Sequence, residues 1–209
     1  MLKETTMIKN LFYKLFAACF SLLVFTGCDL ELQRNYDYES SVIDPHIKMT
    51  AWEFLHTRTD IFSTLIEALE YTGLDHYYKQ TDNLYTFLAL DNTALKNYMM
   101  DRFPGTKNIT ECDQKTVTDM LLYHIVDGDY SGYGQLQVEP MFVLTLLKGE
   151  AGLMTMLVRK NPWQADAGKI IVNDAGSNGN SPQRAAVTSN IMPTNGVIHV
   201  FNTYCYYKK

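Results

Sequence analysis

Residues 188–200, near the C-terminal end, constrain the fold of this chain more than any other stretch. Residues 194–196, Thr-Asn-Gly, are typical of a turn, and they lead into residues 197–200, Val-Ile-His-Val. Such a strand, apolar on both faces, is expected to be buried. Because it comes last, it must pair with strands formed much earlier in the chain. The sequence therefore predicts a domain that closes only when its C-terminal segment docks.

Three motifs occur in the order in which a known family has them. They are Thr-Phe-Leu-Ala-Leu-Asp-Asn-Thr-Ala-Leu at residues 86–95, Leu-Leu-Tyr-His-Ile-Val-Asp-Gly at 121–128, and Pro-Thr-Asn-Gly-Val-Ile-His-Val-Phe-Asn at 193–202. Together they resemble the motifs of fasciclin-like domains. The resemblance implies an α+β fold, with a wedge-shaped β-sandwich and packed N-terminal helices in a single domain over residues 50–205. An order of helices followed by strands permits this fold class.

The first motif predicts a capped helix. Asp91 and Asn92 follow a predicted strand, and their side chains can accept hydrogen bonds from the first amides of a helix over residues 93–103. The family has Pro-Thr where this chain has Leu90 and Asp91. Asp91 can take over the capping role, but the rigid bend of a proline is lost.

Other start and stop signals place three further helices and one strand. Residues 50–53, Thr-Ala-Trp-Glu, form a capping-box pattern. A second helix starts at Thr59 and ends at Gly73, which favours a left-handed end. A third covers residues 113–123, and a strand is expected at residues 84–89.

The remainder of the domain is predicted to be mostly strand. Turn-forming residues separate four apolar or β-branched runs. These runs are residues 141–147, 152–160, 169–173 and 184–189.

The N-terminal segment is typical of an export signal. Lysines within residues 1–14 precede an apolar run of 11 residues, 15–25. A helix needs roughly 20 residues to cross a bilayer, so this run is too short for an anchor. We therefore expect residues 1–27 to be a removable signal peptide, and leave open whether Met1 or Met7 is the start.

The residues after the apolar run indicate a lipid anchor. Phe25-Thr-Gly-Cys28 resembles the bacterial lipoprotein signal, in which the cysteine is acylated and becomes the first residue of the mature chain. The alternative is an ordinary signal peptide with an incidental Cys28. Residues 28–49 are acidic and aperiodic, which favours a tether. We expect an outer-membrane lipoprotein, with exposure at the cell surface left open.

Charge argues against nucleic acid as a partner. The formal net charge is -5, and the 18 basic residues form no long stripe. The expected partners are the membrane, through the lipid at Cys28, and an extracellular protein or polysaccharide. The sequence does not fix the oligomeric state.

The sequence holds no recognisable catalytic, metal or cofactor motif. Its five histidines include no pair at spacing i, i+4 and no neighbouring cysteine at ligand spacing. Residues 174–185 are similar to a calcium loop, but Gly176 and Ala185 occupy positions that require ligands. We expect no metal, cofactor or catalytic residue, and we expect His124 and His199 to be buried and hydrogen-bonded. Asn195, Gly196 and His199 are expected to be structural.

Two places are candidates for binding. Tyr123 and His124 match a dipeptide that, in animal relatives of the family, belongs to a region implicated in receptor binding; the structural alternative, which we favour, is that it orients the helix exit. Asn178 and Asn180 lie in an extended loop, and loops often carry binding residues.

Two cysteines remain after export. Cys112 and Cys205 would be the only thiols, and an oxidising envelope would permit a bridge between them. Nothing in the sequence places them close enough, so the pairing is left open.

The expected function is non-enzymatic binding at the cell surface. Two alternatives remain: a glycan-directed hydrolase, and an architectural subunit of an envelope complex.

Overall fold

The computed structural model describes residues 14, 44–160, 168–175 and 181–205. All of the predicted signal peptide except Lys14, the lipidation site Cys28, most of the tether, and the loop residues Asn178 and Asn180 lie outside these ranges.

The N-terminal part of the domain is helical. The helices are α1 (Ala51–Thr57), α2 (Thr59–Thr72), α3 (Asp75–Lys79), α4 (Asn92–Arg102) and α5 (Gln114–Tyr123), with 3₁₀ turns at Ile109–Glu111 and Glu150–Gly152. The capping box is confirmed: Thr50 Oγ1 accepts from Glu53 N at 3.2 Å, and Glu53 Oε2 accepts from Thr50 N at 2.7 Å. Gly73 ends α2 in the left-handed conformation, with a φ of 71°, as predicted.

Eight strands form two four-stranded sheets in the described part of the chain. They are β1 (Tyr85–Leu90), β2 (Ile125–Asp127), β3 (Met141–Leu144), β4 (Leu153–Arg159), β5 (Lys169–Val172), β6 (Arg184–Ala185), β7 (Thr188–Ile191) and β8 (Gly196–Phe201). The first sheet has the order β2-β1-β8-β7 and the second β3-β4-β5-β6. The fold is therefore α+β, as predicted.

The last strand lies inside the first sheet. β8 pairs in parallel with β1, from Tyr85 opposite Gly196 to Leu90 opposite Phe201, and antiparallel with β7. All six residues of β1 and all six of β8 are buried. The prediction of a buried C-terminal strand paired with a much earlier one is confirmed.

One cluster of buried side chains joins the helices to both sheets. Tyr78 of α3 contacts Phe87 of β1, with 4.2 Å between ring centroids. Fully buried side chains make up much of this cluster. The largest of them include Leu55, Phe62, Leu65, Leu69, Leu88, Leu90 and Phe201.

The run 184–189, predicted as one strand, is two strands in different sheets. Ala186 N donates to Ile170 O of the second sheet at 2.9 Å, whereas Val187 N donates to Val200 O of the first sheet at 2.8 Å. Two adjacent backbone amides therefore donate to different sheets. The sequence pattern does not reveal the switch, because the residues on its two sides, Ala185-Ala186 and Val187-Thr188, are small or β-branched.

The run 141–147 is also shorter than predicted, because β3 ends at Leu144. Thr145 instead forms an isolated bridge with Val126, and Leu146 N donates to Ile125 O at 2.8 Å. This contact joins β2 of the first sheet to the end of β3.

Described residues that precede the predicted boundary at Thr50 are bonded to the domain. Met192 N donates to Pro45 O, and Ile47 N donates to Met192 O, both at 2.9 Å. Thr194 N donates to Met49 O at 2.9 Å. The last residues of the predicted tether are therefore bonded to the segment that leads into β8.

Candidate functional site

Asn195 ties the turn before β8 to the N-terminal helices. Its side chain is fully buried. Oδ1 accepts from Ala51 N at 2.8 Å, and Nδ2 donates to Tyr78 O at 2.8 Å and to Gln80 O at 3.0 Å. One side-chain amide thus hydrogen-bonds the backbone N–H at the start of α1 and two backbone carbonyls at the end of α3.

Replacing this amide should be costly. Asn195→Ala removes the partner of two buried backbone groups, Ala51 N and Tyr78 O, and of the part-buried Gln80 O, and each unsatisfied buried group costs about 1–3 kcal/mol. We expect a loss of roughly 3–5 kcal/mol in the free energy of unfolding, measured by urea denaturation. Asn97→Ala, at an exposed position of α4, is the matched control. A loss of unfolding free energy no larger than that of the control would show that the Asn195 side chain does not stabilise this contact.

Gly196 allows β8 to approach β1. Its φ is 141°, and a Cβ at this position would lie 1.8 Å from Tyr85 O. Any side chain would therefore collide with the backbone of the neighbouring strand. The predicted structural roles of Asn195 and Gly196 have a physical basis in these contacts.

His199 connects β8 to the loop that follows β2. Its Nδ1 accepts from Asn190 N at 3.2 Å, so its Nε2 carries the proton and donates to Tyr130 O at 2.9 Å. The ring is fully buried, and burial lowers its pKa from 6.5 to about 4. His199 is therefore neutral near pH 7 and both ring nitrogens are in use.

His124 bonds to the backbone of Cys205, in the segment that follows β8. Its Nε2 accepts from Cys205 N at 2.9 Å, so its Nδ1 donates to Met120 O at 2.7 Å. Burial lowers the pKa of this imidazole to about 4 as well. The expectation that His124 and His199 are buried and hydrogen-bonded is confirmed.

Tyr123 is buried beside His124. Its hydroxyl lies 3.2 Å from Nδ2 of Asn173, and burial raises its pKa. Neither Tyr123 nor His124 reaches the surface. Their contacts agree with the structural role, orientation of the α5 exit, that the sequence favoured over ligand contact.

Asp91 and Asn92 divide two roles. Asp91 Oδ1 accepts from Ala94 N at 2.8 Å and caps α4, as predicted. Asn92 does not cap this helix: its amide donates to Asp60 O at 3.2 Å and accepts from Thr64 N at 2.9 Å, both in α2. The predicted second cap is thus wrong, and Asn92 joins α4 to α2.

Two asparagines that the sequence did not single out have positive φ angles. Asn190, at 63°, places its Oδ1 2.7 Å from Gly132 N, and Asn173, at 51°, contacts Tyr123. Asparagine tolerates this conformation better than most residues do. The sequence signal is slight: Asn173 directly follows β5, and Asn190 stands beside Ile191 in β7.

Cys112 and Cys205 are both free and buried. The bridge that the sequence left open is not formed. Burial raises the pKa of the Cys205 thiol to about 12 and also raises that of Cys112. Both groups are therefore thiols, not thiolates, at neutral pH, and react slowly.

Thiol counting tests this arrangement. In a chain that begins at Asp29, we expect two reactive thiols after denaturation without reductant. The native protein should react many times more slowly with the same reagent, because the thiols are buried and protonated. Absence of free thiols in the denatured, unreduced protein would show that a bridge forms.

The described residues contain no group of three or more His, Cys, Asp or Glu side chains placed to hold a metal ion. One oxygen of Asp129 is buried without a hydrogen-bond partner in the described ranges, and burial raises the pKa of this carboxyl. The polar residues of the three motifs are bonded mainly to backbone groups of the same domain. What they do in this geometry is to hold strands, helices and the C-terminal segment together.

None of the helices in the described ranges is long and apolar enough to cross a membrane.

Comparison with known proteins places the chain in a family. The family model of the fasciclin domain matches residues 60–205. A solved FAS1 domain pair from the insect cell adhesion molecule fasciclin I is similar in fold, with a TM-score of 0.50 and 13% sequence identity. The match covers 75% of this chain and 50% of that one, so this chain spans half the length of the pair. No curated protein matched the sequence. The chain belongs to the fasciclin domain family.

Proposed function

We propose that this protein is a non-enzymatic binding module, held at a cell envelope by a lipid on Cys28, that recognises an extracellular protein or glycan. The observation that carries the proposal is the fasciclin domain over residues 60–205. Fasciclin domains are generally modules for cell adhesion and binding. The predicted export signal and the lipoprotein-type motif ending in Cys28 support a location at the cell surface.

The geometry of the motif residues favours contact through other parts of the surface. Asn195, His199, Tyr123 and His124 are buried and engaged within the domain. A ligand would therefore meet exposed loops and strand edges. The loop that holds Asn178 and Asn180 is polar and remains a candidate.

The lipid anchor has a direct test. In Cys28→Ala the acylated residue is lost, so we expect the protein to move from the membrane fraction to the soluble fraction. The acyl chains contribute about 0.8 kcal/mol for each buried CH₂, so the shift should be nearly complete. Cell fractionation and immunoblotting measure it. Membrane retention equal to that of the unchanged protein would contradict the lipid anchor.

The binding function is tested by scoring retention and product release separately. The chain that begins at Asp29 is incubated with a panel of polysaccharides and with extracellular protein extracts. We expect retention on one of them without release of sugars or peptides. Asn178→Ala with Asn180→Ala tests the loop, and Asn97→Ala is the control.

Each alternative gives a different result in this assay. Product release that disappears when an acidic pair is mutated would establish the hydrolase. Retention only as part of a stable, fixed-ratio envelope complex would indicate the architectural subunit. Retention of nothing would contradict the binding function.

A further inference from the structure

Exposed apolar side chains are concentrated in one stretch of the chain. Eight large hydrophobic side chains are exposed in the described residues, and five of them fall between residues 133 and 153. We call these five the 133–153 surface. They are Tyr133, Val138, Phe142, Leu144 and Leu153.

Three members of the 133–153 surface are neighbours on one face of the second sheet. Phe142 and Leu144 are two residues apart in β3, so their side chains project to the same side. Leu144 lies opposite Leu153 of β4. The exposed fractions of Phe142 and Leu144 are 63% and 62%. A cluster of such residues on a surface marks an interaction site more often than scattered single residues do.

Hydrogen bonds to buried residues and to β4 fix the segment 130–137, which carries part of this surface. Tyr130 O accepts from the buried His199, and Gly132 N donates to the buried Asn190. Farther along, Gln137 O accepts from Val158 N of β4 at 2.8 Å. A partner would therefore meet a pre-organised surface, which lowers the entropic cost of binding.

The strand itself lacks protection against a partner. β3 is the outer strand of its sheet, and Met141–Leu144 carries no charge. Natural edge strands are usually shielded by charged residues, bulges or covering segments. β2 meets this edge only beyond Leu144, through the Thr145 bridge and the bond from Leu146 N to Ile125 O, and within the described ranges no strand is paired with Met141–Leu144 on that side.

The charges around the surface indicate which kind of partner fits. Asp127, Glu139 and Glu150 are exposed, and Lys148 is the only exposed basic residue among residues 133–153. Arg159, which follows the Val158 bonded to Gln137, is also exposed, but its charge is paired with Asp174 at 3.0 Å. Asp127 follows Val126, whose bridge to Thr145 places it near Leu144. A second copy of this chain would bring like charges together, and an anionic lipid surface would be repelled. A protein with basic residues around an apolar contact would be complementary.

We propose that the 133–153 surface docks an extracellular protein whose apolar contact face is rimmed by lysine or arginine side chains. This inference rests on the proposed binding function and assigns it a place on the domain.

Site-specific cross-linking tests the proposal in cells that make the full chain. A photoreactive phenylalanine analogue replaces Phe142 in one variant and Met100 in another. Met100 is also 63% exposed but lies on α4, so it is a matched control. We expect the analogue at position 142, and not that at position 100, to cross-link to a protein other than this chain.

Charge reversal then tests the acidic rim. In the Phe142 analogue background, Glu139→Lys with Glu150→Lys should lower the cross-link yield about tenfold or more. Glu67→Lys with Glu70→Lys, two exposed positions of α2, should leave the yield unchanged. Melting temperatures of the variants should agree, because all of the substituted side chains are exposed.

Several outcomes would overturn the inference. They are an adduct with lipid, an adduct with a second copy of this chain, no adduct at position 142, and a yield that the rim substitutions leave unchanged. The retention assay on polysaccharides and protein extracts is independent of these. If retention is observed but position 142 gives no protein adduct, this inference fails while the binding function stands; if retention also fails, the binding function fails with it.

Discussion

Val197→Asp and Val200→Asp should each prevent the domain from folding. Both side chains are buried in β8, which lies between β1 and β7. An unpaired carboxylate in such a place costs several kcal/mol, against a total stability of about 5–15 kcal/mol. We expect no cooperative thermal transition in either variant.

An exposed valine close to β8 supplies the control for this experiment. Val187 is 54% exposed, and its backbone amide donates to Val200 O. Val187→Asp adds the same charge beside the same strand but leaves it in water, so its melting temperature should change little. Near-normal melting of Val197→Asp and Val200→Asp would show that β8 is peripheral to the fold.

Mild acid should destabilise the protein through its two buried histidines. In the unfolded chain an imidazole has a pKa of 6.5, whereas burial lowers the pKa of His124 and of His199 to about 4. Between these values the unfolded state binds protons that the native state does not. The stability is therefore fully present above pH 6.5 and is lost as the pH falls towards 4.

The expected size of this effect is large. A folded pKa of about 4 against 6.5 in the unfolded chain corresponds to a loss of roughly 3 kcal/mol for each histidine by pH 4, or about 6 kcal/mol for the pair. Urea denaturation at intervals between pH 7 and pH 4 measures it. In His199→Gln, the fall in unfolding free energy between pH 7 and pH 4 should be about half of that in the unchanged chain.

An exposed histidine serves as the control for the acid experiment. His56 lies on the surface of α1. His56→Gln should keep the full pH dependence of the unchanged chain. A stability that stays constant from pH 7 to pH 4 would contradict the buried, neutral state of His124 and His199.

The sequence predicted the elements whose signals are local. The capping box at Thr50, the left-handed end at Gly73 and the cap at Asp91 each depend on a few adjacent residues, and the structure has all three. The buried β8 was predictable because a strand that is apolar on both faces is stable only when both faces are covered.

The features that the sequence did not predict depend on long-range contacts. Asn92 resembles a cap, yet it bonds to Asp60 and Thr64 because α4 packs beside α2. The division between β6 and β7 arises where Ala186 and Val187 bond to different sheets. The residues joined by these contacts are far apart in the sequence, so the contacts leave no local pattern.

The 133–153 surface could not be predicted from the sequence for a related reason. Phe142 and Leu144 have the composition of a buried strand, and residues 141–147 were predicted as an ordinary apolar run. Their exposure follows from the position of β3 at the outer end of its sheet. Sheet order cannot be derived from the pattern of a single strand.

Native-state hydrogen exchange tests most directly whether the domain closes through its last strand. If β8 is part of the central unit, the amides of residues 197–201 exchange only by global unfolding. Their free energies of opening should then agree within about 1 kcal/mol with those of β1 and with the urea-derived stability. Amides of residues 133–139 should exchange faster and provide the internal comparison. Opening of β8 at a free energy several kcal/mol below that of β1 would contradict closure through β8, because the strand would then separate from a domain that remains folded without it.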